Sequence, residues 1–178
     1  MDAATIYLEI VQKRFNSVKK LGDSTISQLS EEDIHWKLND ASNSMAVIVK
    51  HVSGNMVSRW TDFLTTDGEK SYRNRDREFE DDISSKQELR NTWEKGWLVF
   101  LDALSDLKAE DLLNEITIRG EKHTVLEAIE RQMSHYSYHV GQMVYIGKQL
   151  KGDEWGNLSI PRGESQKYLH ENLEKYQS

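Results

Sequence analysis

Four segments of this chain repeat apolar residues at intervals of three and four, and that period restricts the fold more than any other feature of the sequence. The first runs from 3 to 21, with Ile6, Tyr7, Ile10, Val11, Phe15, Val18 and Leu21 on one face and Gly22 as its expected stop. The second runs from about 43 to 64 behind the capping candidates Ser42 and Asn43, through Val47, Ile48, Val52, Met56, Trp60 and Phe63, and Asp67-Gly68 closes it. The third covers roughly 86 to 107, with Leu89, Trp93, Trp97, Phe100, Leu101 and Leu104. The fourth covers roughly 124 to 150, with Leu126, Ile129, Met133, Tyr136, Val140, Met143 and Val144. Amphipathic helices bury such stripes against one another, so the expected fold is all-α: a four-helix bundle folded as one domain over residues 1–178.

Two connections carry more than a turn. "TTDGEKSYRNRDREFEDDISS", 65 to 85, is too charged for a core and too long for an ordinary link between helices two and three. It is either a solvated loop or a lid, and as a lid it would fold back over a cleft near His51. Arg73, Arg75 and Arg77 would then clamp a carboxylate or phosphate while Phe79 lies over an apolar edge. "ITIRGEKHTV", 116 to 125, alternates β-branched and polar residues around Arg119-Gly120, the pattern of a small hairpin. Beyond Gly152 a C-terminal extension offers a turn at Ile160-Pro161 and a short helix capped by Ser165.

Charge and composition exclude several functions. The chain carries 23 basic and 30 acidic residues, a net charge of −7, which leaves no basic footprint for nucleic acid. It has no 18-residue apolar run to cross a membrane, and its first twenty residues lack the apolar core and cleavage site of a signal peptide. The expected location is the cytoplasm. With no cysteine it has neither disulfides nor thiolate ligands, so a metal would be held by histidine, carboxylate and water.

Histidine is the ligand type that the sequence arranges. In "SHYSYHVGQ" His135 and His139 stand four apart, which puts them about 5–6 Å from each other on one helix face. They flank the apolar stripe and share their line with Gln132 and Ala128. By spacing alone they are either a packed, hydrogen-bonded pair or half of a metal site. A third histidine, His51, falls in the middle of the second helix and is followed along its face by Asn55, Arg59 and Asp62, either a solvated stripe or the lining of a cleft. His35, His123 and His170 read as surface residues. Glycine inside a helix costs about 0.5–1 kcal/mol, so Gly54, Gly96, Gly141 and Gly147 suggest close approach of a neighbour or a ligand.

"NSMAVIVKHVSGNMVSRWTDFLTTDGEKSYRNRDREF", "HTVLEAIERQMSHYSYHVGQMVYIGKQL" and "WGNLSIPRGES", spanning 43 to 165, resemble the DinB-like superfamily. These are four-helix metal-dependent proteins that include bacillithiol transferases and mycothiol-dependent isomerases. The likeness is to a small bacterial branch of unknown function.

The resemblance implies that His51, His135 and His139 bind a divalent metal ion, zinc or nickel, with at least one open position, as in catalytic sites. It implies a transferase or hydrolase acting on a small molecule. A thiol reaction would take its thiol from a low-molecular-weight cosubstrate, because the protein has none. Asn55, Arg59, Asp62 and Tyr138 are the candidates for acid, base or substrate contact. The alternative is a non-catalytic metal-binding module. A homodimer is expected both from the superfamily and from the large aromatic area of Phe15, Trp93, Trp97 and Phe100.

Overall fold

The computed structural model describes residues 2–177. Its helices are α1 (Ala3–Gln28), α2 (Met45–Trp60), α3 (Lys86–Ser105), α4 (Val125–Lys151) and α5 (Ser165–Gln177), with one antiparallel hairpin of β1 (Glu115–Ile118) and β2 (Glu121–Thr124). The fold is all-α: α1 packs on α4, α2 on α3, and α2 also meets α4. Among the described residues no helix is long and apolar enough to cross a membrane.

The first four helices start on side chains that accept an orphan backbone N–H. Asp2 caps α1, Ser44 caps α2, Ser85 caps α3, and Thr124 with Glu127 forms a reciprocal box at α4. The cap of α2 thus lies one residue beyond the expected pair Ser42 and Asn43. The helix ends at Trp60 rather than near 64, because Asp62 takes a left-handed conformation (φ 48°) and its carbonyl accepts from the N–H groups of Thr65 and Thr66. Ser165 is the first helical residue of α5, not its cap, and none of the described side chains of α5 is buried.

Gly22 does not stop α1, which continues for six more residues. A Cβ there would lie 2.3 Å from Trp93 Cζ2, so the glycine is a notch for the indole, whose Nε1 donates to Asp23 at 2.6 Å. Of the glycines expected to permit close approach, Gly54, Gly96 and Gly147 do so, against Glu78, the backbone of Ser53 and Trp155 respectively. Gly141 has open space around it, so no neighbour packs against it there.

The core is aromatic at its centre. Phe15, Trp60, Trp97, Phe100 and Tyr136 make edge-on or tilted contacts with centroids 4.4 to 6.1 Å apart, geometry that favours ring quadrupoles. Phe15, Trp93, Trp97 and Phe100 are all buried within this one chain, so the aromatic area that suggested a second copy is used internally. The hairpin turns at Arg119 (φ 57°) and Gly120 (φ 75°), whose N–H groups both donate to the carboxylate of Asp67. That contact ties the hairpin to the start of the long connection.

Gly96 gives the packing a direct test. A methyl group there would sit 2.7 Å from the Cα of Ser53, where no flexible side chain can yield. Gly96→Ala should therefore lower stability by about 1–2 kcal/mol after its gain in helix propensity, or about 2–8 °C in Tm. Gly141→Ala, in open space, should raise stability by about 0.5–1 kcal/mol. Thermal denaturation followed by circular dichroism reads both, and an unchanged Gly96→Ala variant would contradict the tight crossing of α2 and α3.

Candidate metal centre

The three histidines of the two helices converge. His51, mid-way along α2, and His135 and His139, one turn apart on α4, each offer a ring nitrogen within 4.8 Å of the others. The Nε2 atoms of His51 and His135 are 3.3 Å apart, and those of His135 and His139 are 3.1 Å apart. Two nitrogens held by one tetrahedral ion at ~2.0–2.1 Å would lie ~3.3–3.4 Å apart, so the spacing fits a shared cation. His51 and His139 are buried and His135 is partly so.

The other ring nitrogen of each histidine decides which form it takes. His51 Nδ1 lies 3.0 Å from Glu78 Oε2, and Glu78 also receives Arg73 through Nε at 2.7 Å and Nη2 at 2.9 Å. A carboxylate so paired only accepts, so Nδ1 carries the proton and the lone pair stands on Nε2. His135 Nδ1 faces Gln132 Oε1 at 3.2 Å, and His139 Nδ1 faces Gln142 Oε1 at 2.8 Å. Gln142 donates from Nε2 to Tyr138 Oη at 3.1 Å, which keeps its oxygen toward the imidazole. Three Nε2 lone pairs therefore point into one small volume, an arrangement that repels itself unless a cation or proton lies between them. Oriented outer partners of this kind accompany metal-ligating histidines.

Glu78 reaches His51 because the connection folds back onto α2. Residues Asp76–Phe79 form a single 3₁₀ turn. Lys50 Nζ donates to the carbonyls of Arg77 and Glu80 at 2.9 and 2.8 Å and pairs with Asp82. Gly54 makes the room: a Cβ there would lie 2.4 Å from Glu78 Oε1. Phe79 then lies over His51 with centroids 5.0 Å apart and planes 31° from parallel. The loop thus covers one side of the histidine cluster, though not with the expected clamp, since Arg73 is committed to Glu78 and Arg77 is exposed beside Glu80.

Electrostatics follow from burial. Removal from water, with His139, His51 and two arginines nearby, pushes His135 down to about 3, and burial also lowers His139 against the opposing bond from Gln142. Burial pushes Glu78 up, but the hydrogen bonds of His51 and Arg73 outweigh it and hold the carboxyl below its ordinary range.

Among the other expected site residues, Asn55 and Arg59 line a cavity of about 200 Å³ beside His51 and His135. Asn55 Oδ1 accepts from Tyr136 Oη at 3.1 Å, and Tyr136 in turn accepts from Trp60 Nε1 at 3.1 Å, which links the site to the aromatic core. Arg59 is 4 % exposed, and its Nε and Nη1 have no hydrogen-bond partner among the described residues. Asp62 is not brought to the site: it follows the end of α2 and borders a shallow depression with Phe63 and Leu64. Tyr138 touches His139 ring to ring at 4.9 Å but is 62 % exposed and faces a groove with Trp36, Leu38 and Tyr145. His35 bonds Asp81, His123 sits in β2, and His170 is in α5, all away from the cluster. Sequence reasoning missed Glu78, whose one available signal was an acidic residue next to an aromatic in a charged loop, and Arg119 and Arg131, which carried none.

A family model described as "Protein of unknown function (DUF1572)" matches residues 2–164. No curated protein and no solved structure matches the chain.

The depressed histidines give stability a definite pH dependence. An unfolded histidine takes up its proton near pH 6.5, whereas folded His135 stays neutral to about 3. Between those values the unfolded state binds more protons, so the stability of the metal-free protein should fall as pH drops through 6.5 and continue to fall toward 3, with His139 acting in the same direction. Urea unfolding at a series of pH values measures it. His135→Asn should flatten the slope, and a slope unchanged by that substitution would refute the assignment.

Proposed function

The chain belongs to the DUF1572 family of proteins of unknown function, and from that premise we propose that it is a divalent-metal-dependent enzyme of DinB-like type, a transferase or hydrolase acting on a small molecule. What carries this reading is the convergence of three Nε2 lone pairs whose opposite nitrogens are each tied to an oxygen acceptor. A zinc or nickel ion held by His51, His135 and His139 would supply Lewis acidity, polarising a carbonyl or favouring a thiolate over a thiol. Among the described residues no fourth histidine or carboxylate joins the group, which supports an accessible centre over the closed one expected of a non-catalytic module. The chain's own groups orient and shield. Glu78 and Arg73 fix the proton of His51, and Phe79 covers its ring on one side. Any thiol in the reaction comes from a low-molecular-weight cosubstrate, since the chain has no cysteine. A homodimer belongs to the same proposal and rests on the DinB-like resemblance, and a cytoplasmic location is proposed with it from the cysteine-free composition.

Elemental analysis of protein purified without an affinity tag should find about one zinc or nickel per chain, and a screen with low-molecular-weight thiols should then reveal turnover. His51→Ala, His135→Ala and His139→Ala should each abolish tight binding, and His35→Ala should not. Equal binding by all four variants in titration calorimetry would remove the proposed site.

The outer partner gives a separate test. Glu78→Gln keeps an acceptor for His51 but loses its charge and its pairing with Arg73, so metal affinity should fall by about 10- to 100-fold with the helical spectrum unchanged. Competition against a chromophoric chelator measures the loss; full affinity in that variant would mean that Glu78 has no part in orienting the ligand.

A further inference from the structure

We propose that the arginine-lined pocket beside the three histidines is an anion subsite that receives the carboxylate or phosphate group of a small-molecule substrate. The pocket is bordered by Arg59, Arg73, Arg75, Arg119 and Arg131, by Asn55 and Gln132, and by His51 and His135. No acidic residue is among them, in a chain whose net charge is −7.

Part of that positive charge is already answered. Arg73 is paired with Glu78 and Glu69, and Arg119 with Glu69. Arg59, Arg75 and Arg131 have no carboxylate partner among the described residues. Arg75 is held over the ring of Phe79 at 5.2 Å, and Arg59 is buried with two unpartnered guanidinium nitrogens. A buried guanidinium left this way, as that of Arg59 is, is costly unless something accepts from it, while Arg75 and Arg131 stand exposed at the rim.

The uncharged groups have the same polarity. Asn55 uses its amide oxygen on Tyr136 and Gln132 uses its own on His135, so each has its NH₂ donors left over. Apart from the Nε2 lone pairs of His51 and His135 the lining offers donors, which is the chemistry of an oxyanion receptor, and planar guanidinium forks match carboxylate and phosphate oxygens. Burial, with Arg131 and Arg73 adding to it, lowers the pKa of Arg59 against the opposing influence of Tyr136 and Glu69.

The pocket also limits the ligand. A cavity of about 200 Å³ is below the usual range of about 300–1,000 Å³ for drug-sized ligands, so it takes the anionic end of a molecule, not a whole nucleotide. A group bound there lies against His51 and His135, and the rest of the molecule is presented to the histidine centre. That last step rests on the proposed metal-dependent function; the anion subsite does not.

The test uses the full chain, stripped of metal, titrated separately with inorganic phosphate and with malonate by calorimetry, and with phosphorus NMR for the first. At least one anion should bind, and Arg131→Ala and Arg75→Ala should each weaken it about tenfold or more, because each removes a charged hydrogen-bond donor. Arg131 is exposed, so its substitution leaves the core intact, and Arg77→Ala, outside the pocket, should bind as the parent does. Phosphate alone would identify a phosphorylated substrate, and malonate alone a carboxylate. Binding of neither anion by about 10 mM, or unchanged affinity in both pocket variants, overturns the subsite. A separate zinc titration of the same metal-stripped chain distinguishes the two ideas. Zinc without anion binding removes the subsite and keeps the metal centre, while anion binding by a chain that takes no zinc keeps the subsite and removes the centre.

Discussion

A single carboxylate, that of Glu78, is buried between an imidazole and a guanidinium, and the arrangement of the site depends on it. Taking an ion out of water is expensive, and it is tolerated here because His51 and Arg73 both donate to the same group. Those bonds determine the tautomer of His51, and through it which nitrogen faces the other histidines. They also require residues 65 to 85 to double back onto α2. Lys50, reaching three groups of that segment, and Ser44 and His35, both bonded to Asp81, fasten the fold-back along the first half of the helix.

The helix that carries His51 is buried on nearly every side, which explains why its polar residues are so fully engaged. Ser53 donates to the carbonyl of Thr92, Ser58 to that of Gly68, and Asn55 accepts from Tyr136. A buried polar group without a partner costs about 1–3 kcal/mol, and among the fully buried side-chain nitrogens and oxygens of α2 only those of Arg59 lack one. The exception lies beside the histidine cluster. Local rules are obeyed along the helix and broken where chemistry is suspected, a pattern that recurs at functional sites.

The parts of this structure legible in the sequence were those written in a local period. Three- and four-residue spacing gave the four bundle helices, and the Arg119-Gly120 pair gave the hairpin, because each depends on neighbours within one turn. The convergence of His51 with His135 and His139 could be expected from their places on helical faces together with the family resemblance. Glu78 could not, since its meaning comes from a loop conformation fixed by Lys50, Arg73 and the space above Gly54. Gly22 was misread for the complementary reason: as punctuation it ends a helix, but Trp93, seventy-one residues later in the chain, makes it a notch. Arg73 and Arg77 looked equivalent in the string "RNRDR", and only the folded loop distinguishes an inward guanidinium from an outward one.

The centre is assembled from pieces at very different distances along the chain. His51 meets Glu78 across 27 residues, whereas it meets His135 across 84. Closing the longer segment costs about 1 kcal/mol more in chain entropy than closing the shorter one. The half made of α2 and its returning loop therefore has the lower barrier to early formation, and it already contains everything needed to set the orientation of one imidazole. α4 contributes the other two imidazoles, one turn apart, to a first whose orientation is set within the other half of the chain.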